Sequence, residues 1–163
     1  MREFRRSLPM SLMKAREAVM KSFIPKLREH DLSSQQWRVL RALLDASEID
    51  SPEVEMSQLA DRCFLLMPSL SRIVQNLEQR KLIKRRTSDS DQRRSMIKIS
   101  KAGIDLVNIL APSLEQRYAH ITKEFGYGKL ELLYELLDEL TTKLQSSDMQ
   151  EPGKKTDDIG TKI

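Results

Sequence analysis

Apolar residues recur at helical spacing near the start of the chain. Between residues 8 and 29 they occupy two adjoining stripes of one helix: Leu12, Val19 and Phe23 on one, and Met13, Met20, Ile24 and Leu27 on the other. A second pattern runs from residue 33 to about residue 46. It begins with Ser33 at an N-cap position and Gln36 three residues later, which is the signature of a capping box. Both segments are therefore predicted to be helices.

The middle of the chain has shorter elements. Residues 47–55 carry acids, Ser and Pro without a sustained apolar period, which predicts a loop. Two short helical patterns follow, residues 57–64 and 68–80, with only three residues between them. Two strand-like runs, residues 82–87 and 95–100, are then joined by a polar segment. This order is typical of a hairpin with an extended tip.

Two further helices are predicted in the last third of the chain. Ser100 can cap a helix whose apolar residues continue at helical spacing to Leu114. Gly126 and Gly128 interrupt the pattern before a final leucine-rich helix that ends near residue 145. Apolar residues then nearly vanish, so residues 146–163 are predicted to form a mobile tail. The predicted fold class is mainly α with a small β wing.

Composition favours one globular domain. The chain has 163 residues, of which 39% are hydrophobic and 32% charged. It contains no apolar run of membrane-spanning length and no secretion signal, so we expect a cytoplasmic protein without a membrane partner. One cysteine and two histidines cannot supply a disulfide or an ordinary zinc site. No metal and no cofactor are expected.

Positive charge is concentrated in one segment. Residues 80–101 hold nine Lys or Arg against two Asp, a net charge of +7, whereas the whole chain carries +4. The remainder of the chain is therefore slightly acidic. Such a patch can be a solvated surface, a membrane-facing strip or a nucleic-acid footprint, and its structural context has to decide.

Two short helices with a tight turn, followed by a basic hairpin, form the order of a winged helix-turn-helix. On residues 68–80 one face is apolar, and the opposite face carries side chains suited to base edges in a major groove. The candidate DNA-reading residues are Ser69, Ser71, Arg72, Gln75 and Asn76. At the hairpin tip, Arg93 and Arg94 are suited to a narrow minor groove. The alternative is a solvated amphipathic helix beside a solvated hairpin.

Two sequence segments resemble the MarR family of bacterial transcription regulators: LSRIVQNLEQRKLIKR (residues 70–85) and DQRRSMIKISKAG (residues 91–103). Two more, KAREAVM (14–20) and QQWRVLRAL (35–43), are most similar to the family's regulators of homoprotocatechuate degradation operons. The resemblance implies a homodimer on a pseudo-palindromic operator of double-stranded DNA. It also implies repression of an aromatic catabolic operon, relieved by a small aromatic acid.

The resemblance also implies a division of the chain. Residues 1–145 form a single MarR-like domain, in which segments 8–32 and 101–145 interlock with a partner and residues 33–100 form the winged lobe. Within that lobe, Ser71 and Arg72 match the Ser/Thr-Arg pair of the family's recognition helix. Lys84 and Arg86 are the candidate phosphate contacts on the wing.

Asp91 and Arg93 match the Asp-x-Arg wing motif, in which the Asp orients the Arg. Two positions depart from the family pattern. Lys81 stands where Gly is usual, so the helix end or strand entry is expected to differ slightly. Glu55 stands where a short capping residue is usual, and Glu is a weaker N-cap.

Four residues are candidates for binding the carboxylate of an aromatic acid: Arg16, Trp37, Arg38 and Arg41. Arg16 lies between the two apolar stripes of the first helix, where a cation needs a partner or an anion. An ion pair, for example with Glu17, is the alternative. For Trp37 the alternative is plain core, and for Arg38 and Arg41 it is solvation or a phosphate contact.

Other functions have weaker support in the sequence. Cys63 lies in the first short helix of the winged unit, where free Cys is commonly buried, although a thiol-responsive or ligand-independent regulator stays open. An enzyme is not expected, because neither Cys63 nor the two histidines stand at an interpretable catalytic spacing. An interaction module that does not bind DNA would explain the leucine-rich last helix but not the basic wing.

Overall fold

A computed structural model describes residues 3–48, 52–88 and 91–148. A short 3-10 helix precedes the first α-helix. The elements then follow in the order α1 Leu8–Arg28, α2 Ser34–Glu48, β1 Val54–Glu55, α3 Met56–Cys63, α4 Met67–Gln79, β2 Ile83–Thr87, β3 Ser95–Ile99, α5 Lys101–Phe125 and α6 Tyr127–Asp148. All six α-helices and the hairpin predicted from the sequence are present. The 3-10 helix Phe4–Arg6 and strand β1 were not predicted.

The sheet is three-stranded and antiparallel, in the order β1-β3-β2. In the hairpin, Ile83 lies opposite Ile99 and Thr87 lies opposite Ser95. The two residues of β1 pair with the outer side of β3, where Val54 lies opposite Ile97. This pairing corrects the prediction that residues 47–55 form only a loop, and it places the acidic residues around β1 beside the basic wing.

The described residues divide into two compact units, one that ends at Tyr118 and one that begins at Ala119. The core of the first unit is built by apolar residues of α2, α3, α4, the sheet and the first half of α5. Its fully buried side chains include Leu40, Leu43, Leu59, Leu70, Leu77, Ile97 and Leu110. Helix α4 therefore packs against this core through only one of its faces.

The second unit contains the end of α5 and α6, separated at Gly126, whose φ of 97° is a conformation that favours glycine. Several α6 side chains are exposed, among them Leu132, Leu136 and Leu144. Helix α6 extends to Asp148, so the predicted tail is wrong for residues 146–148. The rest of that tail lies outside the described residues.

Two predicted helix caps are confirmed. The Gln36 backbone N–H donates to Ser33 Oγ at 3.1 Å, and the Ser33 N–H donates to Gln36 Oε1 at 2.8 Å, which completes the capping box at the start of α2. Ser100 Oγ accepts from the Gly103 N–H at 3.1 Å and so caps α5. As expected, the Glu55 side chain makes no cap hydrogen bond to α3.

Helix α4 ends in a Schellman motif, in which the Lys81 N–H donates to the Glu78 carbonyl at 2.8 Å and the Leu82 N–H to the Leu77 carbonyl at 2.9 Å. This motif requires a left-handed residue, and Lys81 supplies it with a φ of 61°. The expected change in helix end or strand entry is therefore wrong. Lysine adopts the conformation that glycine normally takes, at a cost in backbone strain.

Candidate DNA-binding surface and adjoining cavity

Helix α4 presents one apolar and one polar face. Leu70, Ile73, Val74 and Leu77 are buried. The predicted reading residues Ser69, Ser71, Arg72, Gln75 and Asn76 are all exposed. Pro68 is one of the first residues of the helix, where its missing N–H has no intrahelical role to fill. The structure thus gives α4 the geometry of a recognition helix, with hydrogen-bonding side chains directed away from the core.

One of these side chains is already engaged within the chain. Gln36 Nε2 donates to Asn76 Oδ1 at 2.7 Å, so the start of α2 contacts the recognition helix. Arg80, which follows α4, makes a second contact of this kind. Its guanidinium donates to the carbonyls of Asp31 at 2.7 Å and His30 at 3.0 Å. These bonds fix α4 relative to the segment that joins α1 and α2.

Glu53 neutralises part of the wing. Its carboxylate accepts two hydrogen bonds from Arg86 Nε, at 2.9 and 3.1 Å, and lies 3.3 Å from Lys98 Nζ. The hydrogen bond from Arg86 holds the pKa of the Glu53 carboxyl below its usual value. Desolvation opposes this shift, and Lys98 adds a smaller lowering. Arg86, predicted as a phosphate contact, is therefore engaged in an ion pair in the unbound chain.

The tip of the wing is held by carboxylates as well. Arg94 Nη1 lies 3.2 Å from Glu55 Oε2, and Arg94 Nε lies 3.4 Å from Asp91 Oδ2. The second oxygen of Asp91 accepts from the backbone N–H of Arg93 at 2.9 Å. Asp91 therefore fixes Arg93 through the main chain and pairs with the guanidinium of Arg94. The expectation that Asp91 directs the guanidinium of Arg93 is wrong.

Three wing cations remain without such a partner. Among the residues that the structure describes, the side chains of Lys84, Arg85 and Arg93 make no hydrogen bond or ion pair. Arg85 and Arg93 line a cleft of about 270 Å³ together with Arg94 and with Ser71 of the recognition helix. The cleft joins wing and recognition helix, which suits a phosphate backbone that passes between them.

Sequence reasoning missed Arg85 as a candidate DNA contact. The signal was present, because side chains alternate along a strand, so Arg85 faces away from its neighbours Lys84 and Arg86. Arg85 lies opposite Ile97 in the hairpin, and its side chain is exposed. It therefore joins Ser71 in the cleft instead of facing Glu53.

A second cavity, of about 330 Å³, lies between α1, α2 and α5. All four predicted carboxylate-binding residues line it: Arg16, Trp37, Arg38 and Arg41. Met20, Leu114 and Tyr118 supply apolar and aromatic surface, and Glu115 is an acid on the same wall. Cationic groups beside apolar and aromatic surface in a concave site are typical of binding sites for small organic anions.

The three arginines of this cavity have different partners. Arg16 Nη1 pairs with Glu17, so Arg16 is not the unpaired cation that its position on α1 suggested. Arg41 pairs with Asp45 at 3.2 Å along α2. Arg38 Nη1 donates to the Cys63 carbonyl at 2.7 Å. Trp37 is half-buried, so it forms a wall of the cavity and is not plain core.

Cys63 itself has no exposed surface. Burial raises the pKa of its thiol, against the opposing positive charges of Arg38 and Arg62. A buried thiol with a raised pKa reacts slowly, since the thiolate is the nucleophile. The geometry therefore does not favour a thiol-responsive regulator.

None of the described helices is both long and apolar enough to cross a membrane.

Comparisons with known proteins agree with this geometry. Residues 30–94 match the MarR family model. The homoprotocatechuate degradative operon repressor of Escherichia coli is 35% identical over 147 residues, 90% of this chain and 96% of that protein. The HTH-type transcriptional regulator FarR of Neisseria gonorrhoeae is 34% identical over 82% of this chain and 88% of its own.

A similar solved structure is NadR in complex with 4-hydroxyphenylacetate. It has a TM-score of 0.75 and 29% sequence identity, and the match covers 86% of this chain and 98% of that one. A recognition helix beside a basic antiparallel wing defines a winged helix-turn-helix DNA-binding protein. The chain belongs to the MarR family of transcription regulators, whose members bind DNA operators as dimers. It is a regulator and not an enzyme.

Proposed function

We propose that the chain is a homodimeric repressor of an operon for aromatic-compound breakdown, and that it acts in the cytoplasm and leaves its operator when it binds a small aromatic carboxylate. The proposal of an aromatic-acid effector depends on the cavity that Arg16, Trp37, Arg38 and Arg41 line. Relatives support the same assignment, since one represses a homoprotocatechuate operon and another binds 4-hydroxyphenylacetate.

The dimension of the cavity favours a small ligand. Its volume of about 330 Å³ lies at the lower end of the ~300–1,000 Å³ usual for ligand sites. An aromatic ring can pack on Trp37 and Tyr118, and a carboxylate can pair with the arginine forks. Glu115 on the same wall repels a second carboxylate but can accept a hydrogen bond from a ring hydroxyl. A hydroxylated aromatic monoacid satisfies all of these groups.

On the DNA side, we assign distinct roles to the recognition helix and the wing. Ser69, Ser71, Arg72, Gln75 and Asn76 read base edges in the major groove, and Arg93 enters the minor groove. Lys84 and Arg85 contact phosphates. Asp91 and Arg94 fix the wing tip, where Arg94 pairs with both Asp91 and Glu55. Arg86 contributes less to DNA binding because Glu53 holds it.

Exposed apolar side chains support the dimer. Helix α1 leaves Leu12, Met13 and Val19 exposed, and α6 leaves a series of leucines exposed. Exposed apolar side chains on a helix face are commonly covered in an oligomer, for which a two-fold dimer is the simplest arrangement. Light scattering at micromolar concentration is expected to give twice the mass of one chain. A stable monomer would contradict the assignment.

The effector is tested by titrating 4-hydroxyphenylacetate, protocatechuate and salicylate into the protein. Trp37 is the only tryptophan of the chain, so its fluorescence reports on the cavity directly. Release from a duplex selected by the protein from a random DNA pool gives the functional readout. We expect at least one acid to change both signals, and Arg16→Ala and Arg41→Ala to weaken its binding. If none of the acids alters Trp37 emission or DNA binding, the aromatic-acid effector is wrong.

A further inference from the structure

Arg38 connects the cavity to the helix-turn-helix. It lines the cavity from α2, and its Nη1 donates to the carbonyl of Cys63, the last residue of α3, at 2.7 Å. In the other direction the Cys63 thiol lies 3.9 Å from the Arg38 carbonyl. The two residues are 25 positions apart in the sequence. A single guanidinium therefore joins the cavity to the turn that precedes the recognition helix.

The Cys63 carbonyl receives no hydrogen bond from a backbone N–H group of helix α3. Helix α3 ends with the Phe64 N–H on the Asp61 carbonyl and the Leu65 N–H on the Ala60 carbonyl, at 3.1 and 3.0 Å. These bonds leave the carbonyl of Cys63 without an intrahelical donor, and Cys63 itself is fully buried. An orphaned carbonyl at such a place is costly, so the bond from Arg38 stabilises this helix end.

The remaining N–H groups of the Arg38 guanidinium make no hydrogen bond to any other described residue. They are therefore available to a carboxylate in the cavity. Hydrogen bonds between a guanidinium and a carboxylate are shorter and stronger than those to a neutral carbonyl, and the planar fork binds both carboxylate oxygens at once. A charged carboxylate in the cavity therefore attracts the guanidinium more strongly than the neutral Cys63 carbonyl does, and it draws the guanidinium away from that carbonyl, to which only Nη1 donates.

We infer that Arg38 is the positioning residue that transmits the effector's presence to the DNA-binding surface, by exchanging the Cys63 carbonyl for the ligand carboxylate. Release of that carbonyl lets the α3–α4 turn rearrange, and α4 begins four residues later at Met67. The ligand then prefers a state in which the recognition helix no longer fits its groove, as any release requires. The inference rests on the proposed effector function.

The test compares two charge-preserving variants of the cavity, Arg38→Lys and Arg41→Lys. Arg41 lines the same cavity, but its guanidinium pairs with Asp45 of the same helix and not with the helix-turn-helix, which makes it a matched control. For each protein the Kd for 4-hydroxyphenylacetate is measured by Trp37 fluorescence, and the Kd for a selected operator duplex is measured with and without saturating acid. The ratio of the two DNA constants is the coupling factor.

Both variants are expected to bind the acid more weakly than the parent protein. In the parent protein and in Arg41→Lys the coupling factor should fall within the usual range of about 5 to 150. In Arg38→Lys it should fall to about 1, because lysine lacks the guanidinium Nη1 that holds the Cys63 carbonyl. Without acid, Arg38→Lys should already bind DNA as weakly as the acid-saturated parent protein.

Hydrogen exchange on the unmodified protein tests the same step without any variant. Adding 4-hydroxyphenylacetate should speed exchange at the amides of Phe64 and Leu65, whose bonds close the end of α3. Unchanged or slower exchange there, or a coupling factor in Arg38→Lys equal to that of the parent protein, overturns the role of Arg38. Failure of the parent protein to bind the acid at all overturns the effector proposal and this inference with it.

Discussion

Replacing Glu53 by Gln is expected to strengthen DNA binding. The substitution keeps the shape of the side chain but removes the carboxylate that pairs with Arg86 and Lys98. Both cations then become available to phosphates, and the wing gains one unit of positive charge. The pKa of Glu53 is lowered by the hydrogen bond from Arg86, so the parent carboxylate stays ionised at neutral pH and loses this pairing only as the pH falls through the lowered pKa.

The size of the effect follows from counterion release. Each additional phosphate contact steepens the dependence of log K on log salt by about 0.9 on duplex DNA. One or two new contacts therefore steepen it by about 0.9 to 1.8. Between 50 and 200 mM salt, the fall in DNA affinity should therefore be larger in Glu53→Gln than in the parent protein, by about 3.5-fold for one new contact and about 12-fold for two.

Two other wing variants should change the slope in the opposite direction. Lys84→Ala should make the slope shallower by about 0.9, and Arg86→Ala by less, because Glu53 already holds Arg86.

Fluorescence anisotropy on a duplex of unrelated sequence at several salt concentrations measures this slope. Glu139→Gln is the matched control, since it also removes a carboxylate from an ion pair, with Lys143 inside α6, and changes the net charge equally. An equal change of slope in both variants would mean that net charge alone matters. No change in Glu53→Gln would mean that Arg86 and Lys98 do not reach phosphate, and the reasoning from the ion pairs would be refuted.

Three further predictions concern single side chains. Arg72→Ala should cost about 1–3 kcal/mol of discrimination between the selected operator and single-base variants in competition binding; an unchanged preferred site would show that the recognition helix is misassigned. Arg93→Ala should lose more affinity on operators with A/T-rich flanks than on those with G/C-rich flanks, because the minor groove of A-tracts is narrow; equal losses would indicate a phosphate contact. Cys63, fully buried and with a raised pKa, should react with a thiol reagent only after denaturant is added; rapid reaction of the native protein would reopen a redox role.

Local features of this fold were predictable because their determinants are neighbours in sequence. The capping box joins Ser33 to Gln36, and the cap of α5 joins Ser100 to Gly103. The two faces of α4 follow from helical periodicity, which places every third or fourth residue on the same side. The gathering of Arg16 and Trp37 in one cavity was expected from family resemblance, since no local pattern brings α1 beside α2.

The partners of the wing cations were not predictable in the same way. Glu53 meets Arg86 across 33 positions, and Glu55 meets Arg94 across 39. Both pairs depend on β1, whose two residues have too short a pattern for any periodicity to reveal. Only after β1 is seen to pair with β3 do these acids come within reach of the wing. Tertiary contacts therefore decide which wing cations are paired and which are available to DNA, whereas the sequence shows only the net charge of the segment.

Lys81 offers a test of backbone strain at the end of the recognition helix. Its backbone is tied on both sides, since its N–H donates to Glu78 and its carbonyl accepts from Ser100 Oγ at 2.7 Å, while its side chain makes no hydrogen bond or ion pair to the described residues.

A left-handed conformation costs an ordinary residue about 1–2 kcal/mol. Glycine avoids this cost but loses about 0.5–1 kcal/mol through the greater freedom of the unfolded chain. Lys81→Gly should therefore stabilise the protein by about 0.5–1 kcal/mol, a rise in Tm of about 1–4 °C at fixed protein concentration. Asp31→Gly is the control, because Asp31 has a φ of 53° but aspartate tolerates this region better, so its gain should be smaller. The contradicting result is a Tm that stays unchanged or falls in Lys81→Gly but rises in Asp31→Gly. Backbone strain at Lys81 would then not reduce the stability of the protein.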